Sequence, residues 1–384
     1  MSMPSLYVHV PFCVQKCDYC AFYSHSLVHS PKSLISLYLE GLAIEIEKRK
    51  EDAPQGISSV FIGGGTPTAL GDRELVCLME MIERNFRFQP EMEYTVEGNP
   101  GTITAAKLKG LRHFGTNRFS LGVQSFNDKL LSSVGRIHIA QEAREAIRAL
   151  RTAGFDNISL DLMFGLPSQN MAIWQATIEE ALSYSPEHLS LYGLMLEEGT
   201  PLYERYRVNN RLPDRLPDDD VQAEMYDWAV ERLKQAGYRH YETSNFARPG
   251  YECRHNLGYW RGKDYIGLGP GGVSCLNGVR WKNIEDVQAY LSRLKSGLGP
   301  VDEVSREVLS QHECMTERMI LGLRLAEGVN LKSFRSDFGV DVRDNYRDVL
   351  ERYKDKPVFI FQGDYLRLNS KFIFVSNSIL QEFV

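Results

Sequence analysis

Tyr7-Val-His-Val-Pro-Phe-Cys13-Val-Gln-Lys-Cys17-Asp-Tyr-Cys20-Ala-Phe22 sets three cysteines at the spacing C-x3-C-x2-C, directly after an alternating apolar run. The run reads as a strand whose end delivers three thiols into one short loop. Soft sulfur ligands select zinc, copper(I) or iron–sulfur clusters. A structural zinc site is normally closed by four protein ligands, and an electron-transfer cubane usually has four cysteines. Here the local supply stops at three, because Ala21 and Phe22 follow. A cubane with three thiolates leaves one iron open to a small molecule, which suits chemistry rather than scaffolding. Two plainer readings use the same residues: half of a zinc knuckle completed from elsewhere, or a disulfide with one thiol spare.

Outward from this loop the pattern alternates. Leu34, Leu37, Tyr38, Leu42 and Ile46 recur at helical spacing over 31–50. A buried strand over 56–62 runs into Gly63-Gly64-Gly65-Thr66-Pro67. Helices are then expected over 72–86, from Thr104 to before Gly115, over 141–153 and over 174–183. Strands are expected over 92–97, 117–121, 157–163 and 188–194. Six strand–helix units in succession demand a parallel sheet with right-handed crossovers. The fold class is therefore α/β, an open or incomplete (β/α)6 barrel. Residues 209–220 read as a Pro- and Asp-rich surface loop capping a helix over 221–236, and 238–246 as a seventh extended segment. After 249 the pattern turns to Gly-rich loops, helical stretches near 286–295 and 312–325, and a terminal set of short helices with a hairpin. The expected division is a core domain over 1–245 and a smaller, mostly helical C-terminal domain over 246–384.

A chain of 384 residues, 43% hydrophobic and 24% charged, can bury a large core, and its net charge of −6 offers no broad basic surface for nucleic acid. No apolar run approaches the roughly 18 residues that span a bilayer. No secretory signal is expected. Seven cysteines, an odd number with three crowded as ligands, point to a reducing compartment: the cytoplasm, or an organelle matrix had a targeting segment been lost.

Polar groups gather where such folds do chemistry, at the C-terminal ends of strands. The Gly63–Pro67 turn lets a ligand approach bare backbone, although a tight turn without a ligand reads the same way. It lacks the Gly-Lys-Ser/Thr end of a phosphate loop. Glu97 ends the third strand, Gln124 lies just past the fourth, Asp161 lies in the fifth and Arg136 sits in the polar connection between the fourth strand and its helix, where rim salt bridges are the plain alternative. Two acids suit hydroxyls or a cation, and the planar fork of Arg136 suits a carboxylate. Farther on, Cys253-Arg-His255-Asn-Leu-Gly-Tyr259-Trp260 sets a histidine among aromatics, which most often serves packing.

Taken together, these motifs carry a resemblance. The cysteine spacing, with aromatic Tyr19 before the last ligand, resembles the cluster loop of the radical S-adenosylmethionine (SAM) superfamily. Cys13, Cys17 and Cys20 are by that resemblance ligands of a [4Fe-4S] cluster. The turn at Gly64, Gly65 and Thr66 looks like the glycine-rich motif that meets the amino group of SAM. Tyr7, Tyr19, Glu97, Gln124, Arg136 and Asp161 match SAM contacts of the oxygen-independent coproporphyrinogen III oxidases and their relatives. His-Asn-x-x-Tyr-Trp looks like the signature of the HemW heme chaperones, and it implies His255 as a heme ligand. The resemblance covers nearly the whole chain, with Gly122-Val-Gln-Ser-Phe126 and Asp161-Leu-Met-Phe-Gly-Leu-Pro167 between these motifs. The oxidases carry a further cysteine two residues past the third ligand, where this chain has Phe22. That departure favours the chaperone branch over oxidative decarboxylation of coproporphyrinogen III. A third reading, a radical SAM enzyme modifying tRNA, is disfavoured by the acidic balance. The implied cofactors are a [4Fe-4S] cluster, SAM (cleaved to a 5′-deoxyadenosyl radical if that chemistry persists) and heme. The implied partners are heme, a heme-acceptor protein and an electron donor such as a flavodoxin or ferredoxin, with no nucleic acid. The resemblance also allows a membrane-associated acceptor and a homodimer.

Overall fold

The computed structural model describes residues 3–31, 33–208 and 215–384. The expected alternation is present. β1 (Ser5–Val10), α1 (Ser33–Arg49), β2 (Ile57–Gly64), α2 (Asp72–Asn85), β3 (Phe88–Gly98) and α3 (Ala105–His113) form the first half. β4 (Arg118–Gln124), α4 (Asp128–Ser133), α5 (Ala140–Thr152), β5 (Ile158–Phe164), α6 (Met171–Ser183) and β6 (His188–Gly193) form the second. β1 to β6 pair in sequence order, every pair parallel. Every residue of β4 is buried, as a strand covered on both faces requires. Thr104, Asn127 and Asn170 open their helices by accepting backbone N–H groups on the side chain, which satisfies donors the first turn would otherwise leave unpaired.

The sheet extends past both ends of this series. The segment expected as a seventh strand is a hairpin instead, β7 (Arg239–Glu242) and β8 (Asn245–Ala247), with β8 antiparallel to β6. The two residues between its strands leave no length for the crossover that a parallel pairing needs. Ahead of it, α7 (Asp219–Gln235) opens on Asp218, whose side chain accepts from Val221 N. Of the loop expected over 209–220, residues 209–214 lie outside the described residues.

Beyond residue 245 come α8 (Arg254–Trp260) and β9 (Tyr265–Leu268). β9 returns to the far edge and lies parallel to β1, Ser5 opposite Tyr265 and Val8 opposite Leu268. β10 (Val273–Leu276), β11 (Val279–Lys282) and β12 (Glu307–Val308) add antiparallel strands outside it. Among the described residues the sheet thus has twelve strands in the order β12-β11-β10-β9-β1-β2-β3-β4-β5-β6-β8-β7, and its two outer strands do not pair, so the barrel is incomplete. The division expected at residue 245 meets no break in this sheet, which draws strands from both sides of it. A four-residue strand whose partner lies at the other end of the chain leaves no local signal to read. A separate core of Met315, Met319, Phe334, Tyr346, Leu366 and Phe383 begins only with α9 (Gln311–Gly322). Short helices and a three-stranded sheet that includes the hairpin 359–368 surround it.

One buried acid ties the early and late parts together. Glu45 of α1, 1% exposed, accepts from Gly269 N (2.8 Å), Asn283 Nδ2 (2.7 Å) and Tyr290 Oη (2.5 Å). Removing the carboxylate strands all three donors in a dry interior. Glu45→Ala is therefore expected to lower the unfolding free energy by about 3 kcal/mol. Glu45→Gln, whose amide still accepts, should lose less; urea denaturation of both variants checks the order.

Candidate cluster and cofactor site

The cysteine loop is held at both feet before any ligand is considered. Phe12–Cys13 pairs in parallel with His25–Ser26, and Leu27 N donates to Cys13 O at 2.8 Å. At the far side Asp18 N donates to Val134 O (3.1 Å), Leu202 N donates to Asp18 O (2.8 Å), and the Asp18 carboxylate meets Arg205 at 2.6 Å. Gly135, at φ +72°, lies under Asp18 so closely that a Cβ there would stand 2.7 Å from its carboxylate. Cys13, Cys17 and Cys20 are free and half-buried. Thr66 Oγ1 donates to Cys13 Sγ at 3.5 Å, and Arg136 Nη1 to Cys17 Sγ at 3.6 Å. Burial pushes the Cys13 and Cys20 thiols up, so their thiolates need a compensating cation.

All expected site residues except Tyr7 and His255 line one cavity of about 340 Å³ at the C-terminal ends of β1 to β6. The glycine turn has a steric cause for each residue. A Cβ on Gly63 would meet Glu97 Oε2 at 2.7 Å, one on Gly64 the His9 ring at 2.6 Å, and one on Gly65 the Phe12 carbonyl oxygen at 2.6 Å. Gly64 N donates to Glu97 Oε2 at 3.2 Å. Gln124 holds a left-handed backbone (φ +63°) at a register shift in β4, and its Oε1 is buried without a partner. A left-handed residue with an unpaired buried acceptor, at the wall of a cavity, is a candidate ligand contact. Asp161 accepts from Ser120 Oγ (3.1 Å) and Ser159 Oγ (3.3 Å). Burial, then repulsion from Asp161, pushes the Glu97 carboxyl up to about 8. One of these two acids therefore keeps its proton near neutrality until a cation arrives.

Two contributors carried no sequence signal that was read. Asn99, just past β3, bridges the thiol-facing groups: its Nδ2 donates to Thr66 Oγ1 (2.9 Å) and its Oδ1 accepts from Arg136 Nη2 (2.8 Å). Its place in the Glu97-Gly-Asn99-Pro run at a strand end was the available clue. Glu93 lies four residues before Glu97 on β3. It accepts from Arg254 N (2.7 Å), His255 N (3.0 Å) and Cys253 Sγ (3.3 Å), pinning the start of α8 to β3. Burial pushes the Cys253 thiol up, which makes it a donor to Glu93 and a poor cluster ligand.

His255 stands away from the cysteines. With Tyr7, Arg118 and Tyr259 it lines an inner chamber of about 210 Å³ that shares Glu97, Ser120, Asp161 and Tyr192 with the larger cavity. It is 1% exposed, and both ring nitrogens are engaged: Nδ1 with Ser59 Oγ and Nε2 with Tyr259 Oη, each at 3.0 Å. As a heme ligand it thus has no free nitrogen in this conformation, which the motif alone does not disclose. Tyr7, expected among the SAM contacts, is likewise displaced, its hydroxyl 3.0 Å from His9 Nδ1.

With this geometry in hand, comparison with known proteins is decisive. Residues 7–181 match the Radical SAM superfamily model, and 309–374 match the HemN C-terminal domain. A heme chaperone HemW from Lactococcus lactis is 34% identical over 99% of this chain and 97% of its own length. One from Bacillus subtilis is 37% identical over 92% of both chains. The chain belongs to the HemW family. The fold of the family's wider group is seen in the Escherichia coli coproporphyrinogen III oxidase HemN, with a TM-score of 0.86 over 99% of this chain and 90% of that one, at 22% identity. No helix among the described residues of this HemW family member is long and apolar enough to cross a membrane.

The residues present fit the group the radical SAM fold implies. In a cubane each thiolate bonds a different iron, so its ligands need not converge on one point. Three free, half-buried thiols of one loop lining one cavity form such a donor set. The raised Glu97 carboxyl also yields a pH signature. The folded chain keeps that proton from about pH 4.5, where an ordinary Glu loses it, up to about 8. Stability of the ligand-free protein should therefore fall as pH rises through that window, and Glu97→Gln should flatten the slope. Denaturant midpoints taken across the window check the sign.

Proposed function

We propose that this chain binds heme and hands it to an acceptor protein, carrying a [4Fe-4S] cluster on Cys13, Cys17 and Cys20 and SAM in the adjoining cavity. The observation that carries this reading is near full-length similarity to HemW heme chaperones, together with the placing of the His255 motif one chamber away from the cysteine loop. A reduced cluster, when bound, supplies a single electron, which a flavodoxin- or ferredoxin-type donor would deliver. The chain's own residues do the rest. Gly64, Gly65 and Thr66 offer bare backbone to the amino-acid end of SAM, and Glu97 and Asp161 offer negative charge to its cationic groups. Arg136, whose guanidinium already faces Cys17, stands where a carboxylate can pair with it. His255 enters as the residue that would meet the heme iron. Burial and the nearby Arg118 hold its ring down at about 3, so it is neutral at working pH, as iron requires of an imidazole.

Two measurements test this reading. Anaerobically reconstituted protein titrated with heme should shift the Soret band, and incubation with coproporphyrinogen III, SAM and reductant should yield no vinyl-bearing product. Formation of that product would transfer the chain to the decarboxylase branch. Cys17→Ser should lose the brown cluster absorbance while still binding heme. His255→Ala should show the opposite pattern, keeping its iron–sulfur content and losing about tenfold or more in heme affinity.

A further inference from the structure

Beside the inner chamber lies a second, larger recess. It is a groove of about 540 Å³ walled by Tyr7, Phe22, Tyr23, Tyr259 and Tyr265, with the Lys282–Glu285 ion pair at its edge. Tyr7 and Tyr259 border both spaces, so they form the partition between the groove and the chamber that holds His255. The rings run continuously across it. Phe61 lies 5.1 Å from the His255 centroid, Tyr259 lies 4.9 Å from it edge-on, and Tyr265 stands 4.7 Å beyond Tyr259. Flat aromatic walls of this volume suit a planar macrocycle, whereas the inner chamber is too small for one.

The two hydroxyls on His255 have unequal meanings. Ser59 comes from β2, in the parallel core of the sheet, and is 3% exposed. A ligating histidine normally gives its second nitrogen to such a fixed partner, which sets the ring's tautomer and direction. Tyr259 sits one helical turn along α8 from His255 and faces the groove. Its hydroxyl lies on His255 Nε2, so a ring that walls the groove is also the group that covers this nitrogen.

We infer that the aromatic groove is the seat of the heme ring and that Tyr259 is a latch, masking His255 Nε2 until the ring enters and the hydroxyl gives way to iron. This rests on the heme-carrying reading above. One O–H···N hydrogen bond is exchanged for an N–Fe bond, the phenol keeps its proton, and the solvent ligand on the incoming iron leaves to bulk water. A latch lowers affinity for heme by the free energy of the bond it must break. It also stops the imidazole from capturing stray metal in the empty protein.

The test is affinity for two probes, ferric heme and metal-free protoporphyrin IX, read by Soret titration on cluster-loaded protein. Tyr259→Phe should bind ferric heme about three- to tenfold more tightly, the share of one hydrogen bond, and bind the metal-free ring unchanged. Ser59→Ala should act oppositely on heme, weakening it about tenfold, again without effect on the metal-free ring. A merely structural loss would move both variants, and both probes, in one direction. Equal or weaker heme binding by Tyr259→Phe, or a matching change for the metal-free ring, overturns the latch. If the native protein binds the metal-free ring but shows no shift with heme, iron ligation and the latch both fall. If neither probe binds, the heme-carrying reading falls as well.

Discussion

A single guanidinium holds the reactive rim together. Arg136 Nη2 donates to Asn99 Oδ1 and to the Gly122 carbonyl, while Nη1 reaches Cys17 Sγ. The loop after β1 and the ends of β3 and β4 are thereby fastened to one buried positive charge. A buried cation is tolerated only where its partners are fixed and near. Here they are a side-chain amide, a backbone carbonyl and a thiol that would be anionic as a metal ligand. Asn99 passes the constraint on to Thr66 and so to Cys13. Two of the three cysteines are thus addressed by one hydrogen-bonded chain, and the third is fixed by the turn Cys20 N to Cys17 O.

A second buried arginine organises the depth of the barrel. Arg118, 2% exposed, lies in the field of Glu93, Asp161 and Cys253. Its charge opposes the rise of the Asp161 carboxyl and helps keep His255 neutral. The same charge therefore bears on the cofactor cavity and on the motif helix, which Glu93 fastens at its first turn.

Much of this was legible from residues alone. The six strand–helix units, the glycine turn and the polar strand ends follow from periodicity, because parallel units repeat the same local pattern. Strand ends then converge wherever the sheet curls, so Glu97, Gln124, Arg136 and Asp161 could be grouped without coordinates. What escaped were contacts made by chain return. β9 joins β1 from the far end of the sequence, and Ser59 meets His255 through a separation that no spacing encodes. The hairpin at β7 and β8 escaped for another reason: extended residues look alike whichever way the chain then turns. The motif named His255 but not the hydroxyl covering it, since a hydrogen-bond partner one helical turn away also reads as packing.

The pairing of β9 with β1 carries a consequence for biosynthesis. Until residues 265–268 have left the ribosome, β1 has a neighbour on one side only, and the cysteine loop hangs from a strand with an open hydrogen-bonding edge. Such edges recruit foreign strands, and contacts of long sequence separation form slowly. The nascent polypeptide thus exposes three thiols on an unfinished sheet during most of its translation. A cluster of the kind the radical SAM superfamily implies would enter best after that edge closes.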